Sequence, residues 1–156
     1  MNKPSSAPVR GQLDDPRNCV CFNLRKATRA VTQVYDDVLR PTGLRATQHS
    51  LLTVLELAGT VSITNLAELA VMDRTTLARN LDLLEQEGLV RIRSGKDDAR
   101  VREVTLTPAA KKKLAAAFPY WEKAQARMTE KLGKGRSEQL LSELSAATTA
   151  AAGSES

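Results

Sequence analysis

Five polar side chains near the middle of the chain fall on one face of a predicted helix, and their chemistry matches the edges of DNA base pairs. These side chains are Arg74, Thr75, Thr76, Arg79 and Asn80. Arginine pairs bidentately with guanine, asparagine pairs with adenine, and a threonine methyl group can touch the methyl group of thymine. On the opposite face, Leu77, Leu81 and Leu84 form an apolar stripe that must pack against a core. The spacing predicts a helix that enters the major groove of double-stranded DNA.

A helix in this role needs a preceding helix and a tight turn to position it. Residues 63–89 have the pattern of such a helix-turn-helix, with the turn at Val71 and Met72. Asp73 is the expected N-cap of the second helix, because its carboxylate accepts hydrogen bonds from free backbone N–H groups. Gly88 is the residue type that most often follows a helix C-terminus. Together these residues define the predicted boundaries of the DNA-reading helix.

A β-hairpin is predicted directly after the helix-turn-helix. Apolar Val90 and Ile92 alternate with arginines, residues 94–100 form a polar loop, and Val104 and Leu106 alternate on the return. Alternation with a period of two is the pattern of a half-buried strand. A helix-turn-helix followed by a hairpin is a winged helix, so we predict a mostly α (α+β) fold.

Further helices are predicted on both sides of the winged helix. We divide the chain into a flexible tail at residues 1–17, an N-terminal dimerisation helix at 18–46, the winged helix-turn-helix at 47–107 and C-terminal dimerisation helices at 108–156. The outer helices carry apolar stripes that the winged helix does not cover. We therefore expect them to join two copies of the chain in a homodimer.

The ends and faces of these helices follow from particular residues. The expected N-caps are Asn18, Thr47, Thr64 and Thr107. Pro119 lies inside the long helix that begins at Pro108, and a kink is expected there. The predicted inward stripe of that helix is Leu114, Phe118, Trp121, Gln125, Met128 and Leu132.

The composition agrees with a DNA partner but does not establish it. The 156 residues carry a formal net charge of +5, and aromatic residues make up only 3%, too few for stacking on single-stranded bases. Residues 47–107 nevertheless hold 7 basic and 9 acidic side chains. DNA binding must therefore rest on where the cations lie. The N-terminus has no apolar segment of a signal peptide and no run is long enough to span a membrane, so we expect a cytoplasmic protein.

Several segments resemble the multiple-antibiotic-resistance regulator (MarR) family of transcriptional regulators. DRTTLARNLDLLEQEGLV at residues 73–90 is similar to that family's recognition helix and entry into the wing. DAR at 98–100 and VTLTP at 104–108 resemble its wing tip and return strand, and GLRATQHSLL at 43–52 resembles the start of its second helix. The resemblance extends over residues 18–150.

The resemblance implies a dimeric regulator, most often a repressor, that binds a pseudo-palindromic operator. Recognition helices would enter successive major grooves and the wing arginine, here Arg100, would enter the adjoining minor groove, where arginine responds to groove width and potential. Asp98 is expected to brace the wing loop. The family also implies release by a small aromatic or phenolic effector in the crevice between the dimerisation helices and the winged helix. Candidate contacts for it are Arg25, Arg29 and Tyr35.

The two cysteines leave a second route of release open. Cys21 and Phe22 resemble the start of the first helix in the organic-hydroperoxide-sensing branch of the family. Tyr35 falls where that branch has a tyrosine that donates a hydrogen bond to the reactive thiolate. Arg25, however, replaces another tyrosine of that branch. The alternative is that Cys19 and Cys21 are only small apolar residues in a reducing cytosol. A Cys-x-Cys pair inside a helix would point to different faces.

Other classes of protein are disfavoured by the sequence. No GxSxG, HExxH, P-loop or GxGxxG motif is present, so we predict that the chain is not an enzyme. His49 is the only histidine, and two cysteines alone are too few ligands for a metal, so we expect no metal and no cofactor. The remaining alternative is a winged-helix module that binds proteins and not DNA.

Overall fold

The structure, a computed structural model, describes residues 16–153. Within that range the elements follow the predicted order. They are α1 (Val20–Leu39), α2 (Ala46–Ala58), β1 (Val61–Ser62), α3 (Ile63–Leu69), α4 (Arg74–Gln86), β2 (Val90–Ser94), β3 (Arg102–Leu106), α5 (Pro108–Leu132) and α6 (Lys134–Ala152). The predicted fold class, a mostly helical winged helix-turn-helix, is confirmed. Most of the predicted tail lies outside the described residues, and its last two, Pro16 and Arg17, belong to a 3₁₀ turn.

The wing belongs to a small antiparallel sheet with the order β1-β3-β2. β1 pairs with β3 at Val61 and Val104, and β2 pairs with β3 from Val90 opposite Leu106 to Ser94 opposite Arg102. β3 is therefore the central strand, with β1 on one side and β2 as an edge strand on the other.

The core lies between the sheet and helices α2, α3 and α4. It consists mainly of leucines because the chain has few aromatic residues. The predicted stripe of α4 is confirmed, since Leu77, Leu81 and Leu84 are all at most 1% exposed. Other fully buried members of this core are Leu39, Leu51, Leu52, Leu55, Leu66 and Val104.

α5 is buried most deeply along a line of alanines beside the predicted stripe, of which Leu114, Trp121, Gln125, Met128 and Leu132 are half-buried. Ala110, Ala117 and Ala124 are completely buried, whereas Phe118 of the predicted stripe is 51% exposed. Alanines seven residues apart lie on one side of a helix. Their small side chains allow another helix to pack closely, and α5 packs against α1. Helical structure continues through Pro119.

Two helices have N-caps other than the predicted ones, because different side chains accept hydrogen bonds from their first-turn N–H groups. Cys19 caps α1 in place of Asn18, with its sulfur accepting from the Phe22 N–H at 3.5 Å. Ser62 caps α3 in place of Thr64, and its Oγ accepts from a backbone N–H at 3.1 Å.

The start of α2 is also different from the prediction, and it joins α2 to α1. α2 begins at Ala46, with Arg45 as N-cap in place of Thr47. The Ala46 N–H donates to Asp36 Oδ1 of α1 at 2.7 Å, and the Arg45 N–H donates to Gln48 Oε1 at 2.9 Å. The predicted cap of α5 is confirmed, because Thr107 Oγ1 accepts from the Ala110 N–H at 3.2 Å.

Candidate nucleic-acid interface

The turn between α3 and α4 sets the angle at which α4 is presented. α3 ends in a Schellman motif, in which the Val71 N–H donates to Glu68 O at 3.1 Å and the Met72 N–H donates to Ala67 O at 2.9 Å. Val71 occupies the position usually taken by glycine, with a φ of 49°. Left-handed backbone is strained for a β-branched residue. The turn is therefore held in a conformation that its own sequence disfavours.

Asp73 fixes the first turn of α4. Its Oδ1 accepts from the Thr76 N–H at 2.9 Å, which confirms the predicted N-cap. Hydrogen bonds from Thr76, first from its hydroxyl and then from its backbone N–H, lower the pKa of the Asp73 carboxyl. The carboxylate stays ionised and also complements the helix dipole.

The five polar side chains lie in the first two turns of α4, where Thr75, Thr76 and Arg79 face away from the buried leucines. Arg74, Thr75, Thr76 and Arg79 are exposed. Asn80 is half-buried, and its Nδ2 donates to Thr76 O at 2.8 Å. One of the two Nδ2 protons and the side-chain oxygen remain for a base. The structure thus brings the predicted reading residues together, with the two arginines the least constrained.

Arg100 is at the tip of the wing. Its side chain is 91% exposed, and its Nε and Nη2 donate to the two carboxylate oxygens of Asp98 at 3.1 and 3.2 Å. The Arg100 backbone N–H donates to Asp98 Oδ1 at 2.9 Å. These contacts, with the Arg100 side chain first, lower the pKa of the Asp98 carboxyl. The predicted brace by Asp98 is confirmed.

Gly95 shapes the wing loop, a role that the sequence analysis missed. Its N–H donates to Val101 O at 2.7 Å, and the Val101 N–H donates to Asp98 O at 3.0 Å. A Cβ atom at Gly95 would lie 2.9 Å from Asp98 O, which is too close. The loop therefore closes tightly and presents Arg100 from a defined backbone.

The predicted redox and effector residues of α1 do not form one site within the chain. Cys21 and Arg25 are exposed, whereas Tyr35 is half-buried and its hydroxyl hydrogen-bonds Gln125 of α5. Burial raises the pKa of Tyr35. Fourteen residues of helix separate Cys21 from Tyr35 by about 21 Å, so they cannot meet in one protomer.

The cysteines differ from the predicted arrangement in one respect. Cys19 is the N-cap of α1, with an extended backbone, so the pair does not lie within one helix. Both thiols are free and exposed. Between residues 16 and 153, no three histidine, cysteine or carboxylate side chains cluster as metal ligands do.

A crevice of about 670 Å³ separates α2 from α5. Phe118 and Trp121 stack along one wall, with ring centroids 5.8 Å apart. At its edge, Lys111 Nζ lies 3.4 Å from Glu56 Oε2, so the pair bridges the dimerisation helix and the winged helix. His49 also lines the crevice, and burial lowers its pKa.

The candidate effector contacts lie elsewhere. Arg29 lines a polar depression beside the connection from α1 to α2. Tyr35 lines a groove between α1, α5 and α6. Arg25 is exposed on α1 and lines neither the crevice, the depression nor the groove. The crevice between α2 and α5 is therefore lined by residues other than the three predicted effector contacts.

The fold and this interface define a winged-helix DNA-binding protein, and comparisons with known proteins give its family. The model of the MarR family matches residues 44–101. The transcriptional regulator MosR of M. tuberculosis, solved in complex with DNA, is 37% identical; the match covers 85% of this chain and 98% of that chain, with a TM-score of 0.74. Comparison with curated protein sequences gives no match.

Two other DNA complexes have the same fold. The transcriptional repressor CouR, bound to a 23-mer duplex, is 25% identical over 88% of this chain and 97% of that chain, with a TM-score of 0.77. A cysteine-to-serine mutant of MarR from E. coli, complexed with operator DNA, is 19% identical over 80% of this chain and 90% of that chain, with a TM-score of 0.73.

The chain belongs to the MarR family and is a DNA-binding transcriptional regulator, not an enzyme. Among the described residues, no helix is long and apolar enough to cross a membrane.

Proposed function

We propose that the protein is a homodimeric repressor that acts in the cytoplasm on a pseudo-palindromic operator. The observation that carries this proposal is the joint exposure of Arg74 and Arg79 on α4 and Arg100 on the wing, each on a backbone fixed by local hydrogen bonds. α4 would read bases in the major groove, and Arg100 would enter the minor groove. CouR, a relative of similar length, is itself described as a repressor.

The need for two copies follows from the apolar surface of the outer helices. α6 has no buried residue, and Leu140, Leu141 and Leu144 are 37–59% exposed. These leucines line a groove with the exposed first half of α1. A second copy would cover this surface on both molecules with one isologous interface. The outer helices would then set the distance between the two reading helices.

The charge balance makes placement more important than total charge. The winged-helix segment has more acidic than basic side chains, so its arginines must reach DNA while its acids face away. Each arginine that neutralises a phosphate releases counterions, and affinity then falls as salt rises. We expect the dimer to make a small number of such contacts, so that removing any one of them lowers the affinity for DNA strongly.

The test of DNA binding compares Arg79→Ala with Arg127→Ala, which removes an exposed arginine of α5. Genomic fragments recovered with the parent serve as duplexes, and affinity is measured by mobility shift at several salt concentrations. We expect Arg79→Ala to lose about tenfold or more in affinity while remaining a dimer, in line with one bidentate base contact, and Arg127→Ala to match the parent. A parent that retains no fragment at low salt would favour the protein-binding module instead.

An effector is proposed for the crevice between α2 and α5. A small aromatic or phenolic molecule would stack on Phe118 and Trp121, with polar groups near His49 and Lys111. Binding in this crevice would separate α5 from α2, and the dimer would shift toward a spacing that does not match the operator. Titrating the operator complex with aromatic acids and phenols should release the parent but not Trp121→Ala. Equal release of both proteins would remove the crevice from the mechanism.

Oxidation of Cys21 is the second proposed route of release. The exposed Cys21 thiol would react with an organic hydroperoxide: its sulfur takes one peroxide oxygen to form a sulfenic acid, and the O–O bond breaks to release the corresponding alcohol. The nearby Cys19 provides a matched control. Peroxide should release the parent and Cys19→Ser from the operator but not Cys21→Ser. Release of all three, or of none, would exclude Cys21.

A further inference from the structure

One hydrogen bond joins the reading helix to the wing away from the core. Glu85 lies in the last turn of α4, and its Oε1 accepts from the backbone N–H of Ile92 in β2 at 2.9 Å. The acceptor is a carboxylate, and such bonds are stronger than those between neutral groups. The contact therefore ties the two DNA-reading elements to each other directly.

The position of this bond in the sheet makes it important. β2 is the edge strand, and the Ile92 N–H points away from β3 because it donates to Glu85. β1 pairs with β3 at Val104 and Glu103, on the side of β3 that faces away from β2. No further strand lies beyond β2 in the described sheet, so the N–H groups on its outer edge need another acceptor. The side chains of Val90 and Ile92 hold β2 against the core, and the Glu85 bond adds a directional contact at its outer edge.

We infer that Glu85 is a positioning residue that holds the wing at its angle to α4, so that Arg79 and Arg100 reach the same duplex together. This inference rests on the proposed DNA reading by α4 and the wing. Glu85 acts through Arg100: when the bond is lost, the wing arginine is still present but is delivered to the minor groove only part of the time.

A double-mutant cycle tests this role on fragments bound by the parent dimer. We expect Arg100→Ala to lower affinity about tenfold in the parent, but less than about threefold when Glu85→Ala is already present, because coupled residues have non-additive effects. Glu85→Gln keeps an acceptor oxygen and should retain most of the Arg100 contribution. Asp82→Ala removes an exposed acid from the same helix, and it should leave the tenfold effect of Arg100→Ala intact.

Amide hydrogen exchange provides a readout that needs no DNA. Ile92 should exchange at least about tenfold faster in Glu85→Ala than in the parent, with Glu85→Gln between them and Asp82→Ala unchanged. Additive affinity losses, or equal Ile92 exchange in Glu85→Ala and the parent, would overturn the inference. A parent that binds no duplex would instead overturn the proposed function, and this is known before any variant is compared.

Discussion

The winged helix and the outer helices of this protein differ in how much of their apolar surface they bury. The leucines on the inner faces of α2, α3 and α4 are at most 2% exposed, whereas Val20 of α1 is 69% exposed and Leu141 of α6 is 59% exposed. The winged helix is therefore complete within one chain, and the outer helices are not. The proposed DNA-reading element thus has a core of its own, and in the proposed dimer the outer helices would be covered by a second copy.

The largest change in the free energy of unfolding should come from a cavity in the core of the winged helix. Leu81→Ala removes a side chain that is 1% exposed, and such truncations cost about 3–5 kcal/mol of unfolding free energy. Leu57→Ala is the control, because Leu57 is 84% exposed and should change stability by less than about 0.5 kcal/mol. Urea unfolding of both variants measures the difference. Equal losses would show that the core is not where the structure has it.

The second effect concerns the outer helices. Leu141→Glu places a charge in the apolar groove of α6 and should weaken the dimer by about tenfold or more, because an unpaired charge is costly to bury. Its monomer should keep the helical content of the parent, since Leu141 supports no core within one chain. Sedimentation velocity over a concentration series measures this. An unchanged dimer would place the interface on another surface.

A smaller effect is expected at the ends of the two helices of the helix-turn-helix. Both end in Schellman motifs, with Val71 at φ 49° after α3 and Gly88 at φ 70° after α4. Val71→Gly should stabilise the protein by about 1 kcal/mol, because relief of left-handed strain exceeds the added entropy of glycine in the unfolded chain. Gly88→Val should destabilise it by about 1–3 kcal/mol for the converse reason. If both changes destabilise, Val71 is not strained.

The smallest effect is the dependence of stability on pH through His49. Burial lowers the pKa of this imidazole, so the unfolded chain binds the proton more readily than the folded one. Stability should therefore fall as pH decreases from above the unfolded value of about 6.5 through the folded value. His49→Gln removes the only histidine and should flatten that part of the profile. A slope in urea unfolding between pH 7.5 and 5.5 that is the same in both proteins would contradict the assignment.

The helix-turn-helix was predictable because the residues that determine its boundaries and buried face are close together in the sequence. Asp73, Gly88 and the period of the α4 leucines fix where the helix begins, ends and faces. The most deeply buried line of α5 was not predicted, because Ala110, Ala117 and Ala124 favour a helix without indicating which side is buried.

The tertiary contacts of the site could not be obtained from sequence. The hydrogen bond between Glu85 and Ile92 depends on the angle between the hairpin and α4, and the periodic pattern of the sequence does not predict that angle. The separation of Cys21 from Tyr35 follows from the length of α1, but whether a partner subunit reunites such residues depends on an interface that one sequence does not specify.

The central claim is that a few placed arginines, presented twice by a dimer, account for DNA binding. Fluorescence anisotropy of a labelled, parent-selected duplex, titrated with the parent and with Arg79→Ala, tests it most directly. We predict two protomers per duplex for the parent and an affinity about tenfold or more lower for Arg79→Ala, as expected from losing a base contact in each half-site. Binding of one protomer per duplex, or equal affinity of the two proteins, would contradict the claim.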